Sequence, residues 1–333
     1  MMDLTKRLIV LFILLVACKG NEPVDPTNDL EGYFEQVWSD FDETYSYFEL
    51  KGIDWDSVYA LNRPKVVNGQ TTSNELADII GEMVVSLKDL HLYFKAGNNV
   101  YRFQNRDQFA SNSPTNAPNY LSSTAFNTNT VQYGDIQNSN IAYLQIKTLN
   151  KNSDFSPLET VLSELPGKDG LILDLRDNGG GSDGIARNFV NRLTLEERTH
   201  EFYRFRNGPG RNDFGSWKEA KIKPDNPIDF DKPIVVLTNR GVVSSTESFV
   251  TMMRVLPNTT FIGDTTRGST GNPKLFTLSN GWEYNISRWQ AVTPEFEYIE
   301  DRGIAPDIAI NNTDETMSEG RDLILEKAIE LMQ

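Results

Sequence analysis

The sequence predicts an α/β protein: a layered strand–helix core behind a small helical N-terminal subdomain. Three observations carry this. Short apolar, β-branched runs (N-I-A-Y-L-Q-I, G-L-I-L-D-L and P-I-V-V-L-T) begin after about residue 140, each of a length that suits one strand. Helical stretches lie between them, at 182–195 and 245–256, and such alternation packs as helices on a sheet. Before residue 95 the apolar residues recur instead at helical spacing.

The first residues stand apart from the fold. Lys6 and Arg7 precede the apolar run L-I-V-L-F-I-L-L-V-A, which ends at Cys18. A basic start, a short apolar stretch and a small residue before the cut describe an export signal over 1–17. The run is about half the length a bilayer-spanning helix needs. Cys18 is the only cysteine, so no internal disulfide forms, and cysteine proteases and Cys-rich zinc sites are excluded. Residues 18–28 are polar and contain proline, as a tether does.

Leu30, Phe34, Val37, Trp38, Phe41, Tyr45 and Phe48 predict an amphipathic helix over 29–49. A second helix should begin near Ser73 and bury Leu76, Ile79, Ile80, Met83, Val84 and Leu87. Together they make a helical subdomain over 29–95. Residues 96–135 read as a loop-rich connector, because 104–130 is crowded with Asn, Ser, Thr and Gln and has room for one short strand. The core then spans 136–333. Its continuous apolar strands suit a sheet covered on both faces. F-I-G, L-F-T-L and W-E-Y-N-I-S are further strands, and a helix over 314–332 ends the chain. The net charge of -15 argues against binding nucleic acid through its phosphates.

Four places could carry chemistry. A serine nucleophile needs a base, because a hydroxyl is almost wholly protonated at neutral pH, and histidine is the usual one. There are two histidines. His200 sits in the charged stretch E-E-R-T-H-E-F and reads as a surface residue; His91, in D-L-H-L-Y-F, stands at the start of an apparent strand. The second place is D-L-R-D-N-G-G-G-S-D-G, residues 174–184, between a strand and a helix. Its glycines let a ligand approach the backbone, and N–H groups at a helix start favour an anion, a phosphate or an oxyanion. A dinucleotide site would need an apolar strand ending in an acid after that helix, and a charged stretch follows instead. The third is P-I-V-V-L-T-N-R-G-V-V-S-S-T-E, where Ser244 lies near a helix N-terminus; the plainer account is that Ser244 or Ser245 caps the helix. The fourth is E-D-R-G-I-A-P-D-I, where Glu300 could orient a histidine or simply begin a turn.

These segments stand in one order: D-L-H, D-L-R-D-N-G-G-G, S-S-T-E, G-D-T-T-R-G-S-T-G-N-P, E-D-R-G-I-A-P-D. The order resembles that of the tail-specific, or C-terminal processing, serine peptidase family, in its tricorn-core and retinoid-binding-protein-like branch. The resemblance implies a ClpP/crotonase-like layered core. It puts the nucleophile at Ser244, three residues before Glu247, the base at His91 and the orienting acid at Glu300. It puts the oxyanion donors at the backbone N–H of Ser245 and of Gly180 or Gly181. Asp174, Arg176 and Glu247 would brace the site. No metal or cofactor is implied, and the partner is a peptide or unfolded-protein substrate, with oligomerisation open. L-V-A-C is similar to a bacterial lipobox, which makes Cys18 a lipid carrier. Lys19 after it then implies the outer membrane of a bacterial envelope.

The sequence departs from the pattern in two ways. Leu90 stands where the tricorn-like site has a serine beside its histidine, so an assisting hydroxyl must come from elsewhere or is lost. The processing branch uses a lysine about 25 residues after its serine, and T-R-G-S-T-G-N-P has none before Lys274. The interval between His91 and Ile141 is also too short for a PDZ domain. The rival reading is a non-catalytic lipoprotein that binds a peptide or an apolar ligand on the same fold.

Overall fold

The computed structural model describes residues 29–104 and 112–333; the stretches expected to be an export signal and a tether, and Cys18 with them, lie outside the described residues. In chain order the elements are α1 (Leu30–Thr44), α2 (Trp55–Asn62), α3 (Ser73–Ser86), β1 (Phe94–Ala96), β2 (Asn99–Tyr101), β3 (Leu121–Asn127), β4 (Val131–Ile136) and β5 (Ile141–Ile146). Then follow α4 (Pro157–Glu164), β6 (Gly170–Asp174), α5 (Asp183–Asn191), β7 (Arg198–Phe205), β8 (Lys218–Ile222), β9 (Ile234–Thr238), α6 (Ser245–Arg254) and β10 (Thr259–Gly263). The last are β11 (Lys274–Thr277), β12 (Glu283–Ile286), β13 (Trp289–Val292), β14 (Ile308–Ala309), α7 (Asp314–Ser318) and α8 (Leu323–Met332).

The central sheet has seven strands in the order β14-β10-β9-β6-β5-β4-β3. Strands β5, β6, β9, β10 and β14 are parallel, and β4 and β3 add antiparallel at one edge. The period-2 rule explains why the inner strands are apolar throughout. Leu171, Leu173 and Val236 point to one face, into a core with Val161 of α4, Phe189 of α5 and Phe249 of α6. Ile172, Val235 and Leu237 point to the other, against Ile324, Leu325 and Ala328 of α8. The sequence-predicted α/β core is therefore a sheet covered on both faces.

The N-terminal helices form a second core through Phe34, Phe41, Trp55, Leu76 and Ile80, and it closes over Trp282, Tyr284 and Ile286. The last three come from the β11–β12 hairpin, which joins β1 and β2 in a four-stranded sheet. The subdomain is thus completed by a distant piece of the chain rather than being purely helical and local. A three-stranded sheet, β13-β7-β8, is the third layer.

Four local expectations change. Helix α1 stops at Thr44 instead of 49, because Ser46 turns out to bond the backbone of Ser287 and Trp289. The connector contains β3 and β4; β3 is an edge strand whose Ser122, Ser123 and Thr124 are exposed, so its polar composition reads as loop. The C-terminal helix breaks into α7 and α8 at Gly320, whose φ is +78°. His200 lies on β7 and is buried, not on the surface, because the strand packs on α6: its Nδ1 is 3.0 Å from the Thr251 hydroxyl, and even the neighbouring Glu201 is buried. Among the described residues, no helix is long and apolar enough to cross a membrane.

Candidate active site

Two loops leave the carboxyl ends of the neighbouring parallel strands β6 and β9, the place where open α/β sheets present their ligands. Asn239 ties them together. Its Oδ1 accepts from the N–H of Asp177 (3.0 Å) and of Gly241 (2.9 Å), and its Nδ2 donates to Asp177 Oδ1 (2.8 Å). Asn178, fully buried, holds the next stretch: its carbonyl accepts from Val243 N–H (3.2 Å) and its Oδ1 from the Thr246 hydroxyl (2.8 Å). The glycine turn is thereby locked against the start of α6.

Ser244 is the residue at which that helix begins, and its backbone is strained. Its φ is +58° and ψ -127°, outside the regions an L-residue ordinarily occupies. Such a conformation costs about 1–3 kcal/mol and persists only where neighbours enforce it. Glu247 is the enforcer. Its buried carboxylate accepts from Ser244 N–H (3.3 Å), Ser269 N–H (2.9 Å), Gly268 N–H (2.7 Å) and the Thr266 hydroxyl (2.6 Å). Burial pushes the Glu247 carboxyl up to about 7 against the pull of these four donors. A serine on a strained strand-to-helix turn presents its Oγ outward at a helix N-terminus, which suits a nucleophile.

His91 approaches from the N-terminal side of the molecule. Its backbone is fixed at both ends: the N–H donates to Asp89 Oδ1 (2.8 Å) and the carbonyl accepts from Asn285 Nδ2 (2.7 Å). The ring Nδ1 lies 2.8 Å from the hydroxyl of Ser269. The carbonyl of the same Ser269 accepts the Ser244 N–H at 3.0 Å. One residue therefore joins the turn of Ser244 to the ring of His91. The other ring nitrogen, Nε2, is buried and has no hydrogen-bond partner among the described residues, Ser244 included. Burial pushes the imidazole below its ordinary pKa, with the charge of Asp89 and a hydrogen bond to the Thr270 backbone opposing.

Glu300 differs from expectation. It does not bond the imidazole. One carboxylate oxygen is 3.0 Å from Lys51 Nζ, and the other accepts from the Thr270 N–H (2.7 Å) and hydroxyl (3.3 Å). Thr270 and Lys51 draw the acid to the residue next to Ser269, one step from the ring. Burial, and then the charge of Asp89, push the Glu300 carboxyl well above the usual range, while Lys51 pulls the other way. Lys51, Asp89 and Ser269 were not singled out in the sequence. Two of them had a signal: Asp89 opens the D-L-H segment, and Ser269 lies in T-R-G-S-T-G-N-P, 25 residues after Ser244.

The glycine turn also sorts its members. Gly180 N–H already donates to Asn178 Oδ1 (3.0 Å), so of the two glycines proposed as oxyanion donors it is the occupied one. The N–H groups of Gly181 and Ser245 have no acceptor among the described residues. The Ser245 hydroxyl donates to the Gly181 carbonyl (2.9 Å), which pins the two donor-bearing residues together. Gly180 is required for another reason. A Cβ there would lie 2.8 Å from the Val243 carbonyl, 3.0 Å from Ser244 Cβ and 3.2 Å from Ser245 N. An open groove lined by Thr148, Asn150, Lys151 and Gly179–Ser182 runs past the turn.

Asp174 and Arg176 are brought to a different place. Arg176, fully buried, forms two-pronged pairs with Asp174 (2.5 Å) and Asp322 (2.8 Å), and Tyr143 donates to Asp174 (2.9 Å). Asp322 also caps α8 through Leu325 N–H. The cluster fastens the end of β6 to the C-terminal helix and makes no hydrogen bond to Ser244 or His91. No group of three or more His, Cys, Asp or Glu that could hold a metal occurs among the described residues.

The model of peptidase family S41 matches residues 140–310, and that of the tricorn protease C1 domain matches residues 26–85. The chain belongs to peptidase family S41. The solved structure of a candidate peptidase from Parabacteroides merdae is 31% identical, with a TM-score of 0.81 over 92% of this chain and 96% of that one. Carboxyl-terminal-processing protease of Synechocystis is 30% identical over 171 residues, 50% of this chain and 37% of that protein. Carboxy-terminal processing protease CtpB of Bacillus subtilis is 24% identical over 183 residues, 54% and 36%. The chain thus spans little more than a third of the length of these two curated relatives. The S41 match contains Ser244, Ser269, Glu300 and the glycine turn, whereas His91 and Lys51 stand outside it.

Proposed function

We propose that this chain is a serine peptidase that hydrolyses peptide bonds by acyl transfer, with Ser244 as nucleophile and His91 as base. Family membership supports the reaction class. The observation that carries the assignment of residues is the junction at Ser269, bonded to the Ser244 backbone on one side and to the His91 ring on the other. A nucleophile and base in a free enzyme are often too far apart to bond and tighten only around substrate. The buried, unpartnered Nε2 fits a base in that state.

In the proposed cycle Ser244 Oγ attacks the peptide carbonyl carbon and its proton passes to His91 Nε2. The N–H groups of Ser245 and Gly181 receive the oxyanion, each worth about 3–4 kcal/mol in comparable sites. Collapse breaks the C–N bond, and the amine leaves with the proton from His91. A water molecule, giving its proton to His91, then attacks the ester and frees Ser244. Glu300 serves as the acid of the arrangement at one remove, by holding Thr270 beside Ser269. Glu247 fixes the strained turn. The substrate is a peptide or an unfolded segment lying along the groove of Thr148, Asn150 and Lys151.

The test is Ser244→Ala against an unfolded casein-type substrate. Hydrolysis should drop to background while the urea unfolding midpoint stays close to wild type. Hydrolysis retained in that variant rejects the assignment.

A further inference from the structure

We propose that Ser269 is the positioning residue of this site: its hydroxyl accepts the Nδ1–H of His91 and thereby leaves Nε2 as the lone pair that takes the proton of Ser244. This role presupposes a serine peptidase and supplies the hydroxyl that Leu90 cannot.

A neutral imidazole has one N–H and one lone pair, and the partner of one nitrogen decides which is which. The side-chain partner of His91 is Ser269 Oγ, at 2.8 Å from Nδ1, and the backbone of the next residue, Thr270, also favours a protonated ring. If that hydroxyl donated to Nδ1, the proton of the ring would sit on Nε2, buried with nothing to receive it. An orphaned buried N–H is the rarer and costlier defect. With Nδ1 as donor, Nε2 is instead an acceptor that Ser244 can fill when substrate arrives. When the ring becomes a cation, both nitrogens must donate, and a serine oxygen can receive the Nδ1 proton without rearrangement.

The hydroxyl is also held in place to an unusual degree. Three successive backbone N–H groups of its loop are pinned by two buried carboxylates: Gly268 and Ser269 by Glu247, Thr270 by Glu300. The Ser269 carbonyl is occupied by Ser244 N–H. The loop backbone is thus fixed on both sides of the side chain, so the direction of Oγ is set by the same acids that set the nucleophile's turn. This gives Glu300 a reason to be buried beside Thr270 without touching the ring. It also places a hydroxyl that serves a histidine 25 residues after the nucleophile, where the processing branch has its lysine.

The chain has two histidines, so nitrogen-15 labelling of histidine and long-range proton–nitrogen correlation report both rings directly. In wild type near pH 7.5, His91 should be the Nδ1–H tautomer. Ser269→Ala should lose that preference and lower kcat by on the order of 10- to 100-fold, with KM little changed, as is usual for an outer partner that orients an imidazole. The acidic limb of its pH profile should move as well, and Ser269→Thr should restore rate and tautomer. A wild-type ring protonated on Nε2 overturns the proposal, whatever the activity. So does Ser269→Ala with unchanged kcat, pH limb and tautomer in an enzyme that Ser244→Ala silences. Wild type with no Ser244-dependent hydrolysis defeats the peptidase reading instead, and the tautomer then still decides whether Ser269 sets the ring. Should Ser269→Ala fail to fold, Ser269→Thr and the wild-type tautomer carry the test.

Discussion

Replacing Gly180 by alanine should damage both folding and catalysis, and replacing its neighbour Gly179 should do neither. The two positions differ in what a methyl group would meet. At Gly180 φ is +98°, and the new Cβ would fall 2.8 Å from the Val243 carbonyl oxygen, closer than real Cβ atoms come. The backbone strain costs about 1–3 kcal/mol and the overpacking about 1–3 kcal/mol more. A total loss of about 2–6 kcal/mol follows, if the loop does not shift. The catalytic effect has a separate cause. The same methyl lies 3.0 Å from Ser244 Cβ and 3.2 Å from Ser245 N, so it crowds the proposed nucleophile and the proposed oxyanion donor together. Loss of one such donor alone lowers kcat by about 10²–10³. At Gly179 a Cβ meets nothing within 4 Å and φ is not in the left-handed range. Alanine there should be neutral or stabilise by up to about 1 kcal/mol, through a less free unfolded chain. Urea unfolding gives the first quantity, and hydrolysis of an unfolded substrate by the folded fraction gives the second. Gly180→Ala with wild-type stability and a rate within twofold of wild type would falsify the placement of this turn against Ser244.

Two further predictions follow from burial. His91 must be neutral to accept a proton, and burial lowers its pKa below the ordinary 6.5. Activity should therefore persist through pH 6.5 and fall only as the pH drops through the lowered value; a limb above 7, or one that survives in His91→Ala, contradicts the assignment of the base. Asp322→Ala leaves Arg176, fully buried, with one of its two acids. Breaking such a pair costs about 3–5 kcal/mol, so the urea midpoint should fall while the folded fraction keeps its kcat. A midpoint unchanged by the substitution would show that the cluster does not fasten α8 to β6.

The parts of the fold that were legible in the sequence are those whose burial is one-dimensional. The strands β5, β6 and β9 are covered on both faces, so their apolar runs are continuous and read directly. Strand β3 has one covered residue at its start and exposed Ser and Thr after it, and no run marks it. The hairpin that completes the N-terminal core sits some 200 residues away from the helices it covers, and periodicity carries no such pairing. His200 reads as exposed from its charged stretch, yet β7 packs on α6 and buries His200 and Glu201 together, against Thr251 and Ser248.

The same division holds in the site. Ser244 and the glycine turn announce themselves by a strand, a turn and a helix in sequence. Whether Glu300 meets an imidazole or the N–H one residue beyond it depends on a few ångströms of side-chain placement, set by Lys51 from the far end of the chain. Ser269 is marked in the sequence only by its place in T-R-G-S-T-G-N-P, 25 residues after Ser244, and its contact with His91 is what gives it a role.

Fluorophosphonate labelling followed by mass mapping of the adduct tests the activated hydroxyl most directly. The account predicts a single adduct, on the peptide that holds Ser244, formed fast in wild type and strongly slowed in His91→Ala. An adduct on another serine, or labelling of Ser244 at the same rate without the imidazole, would contradict it.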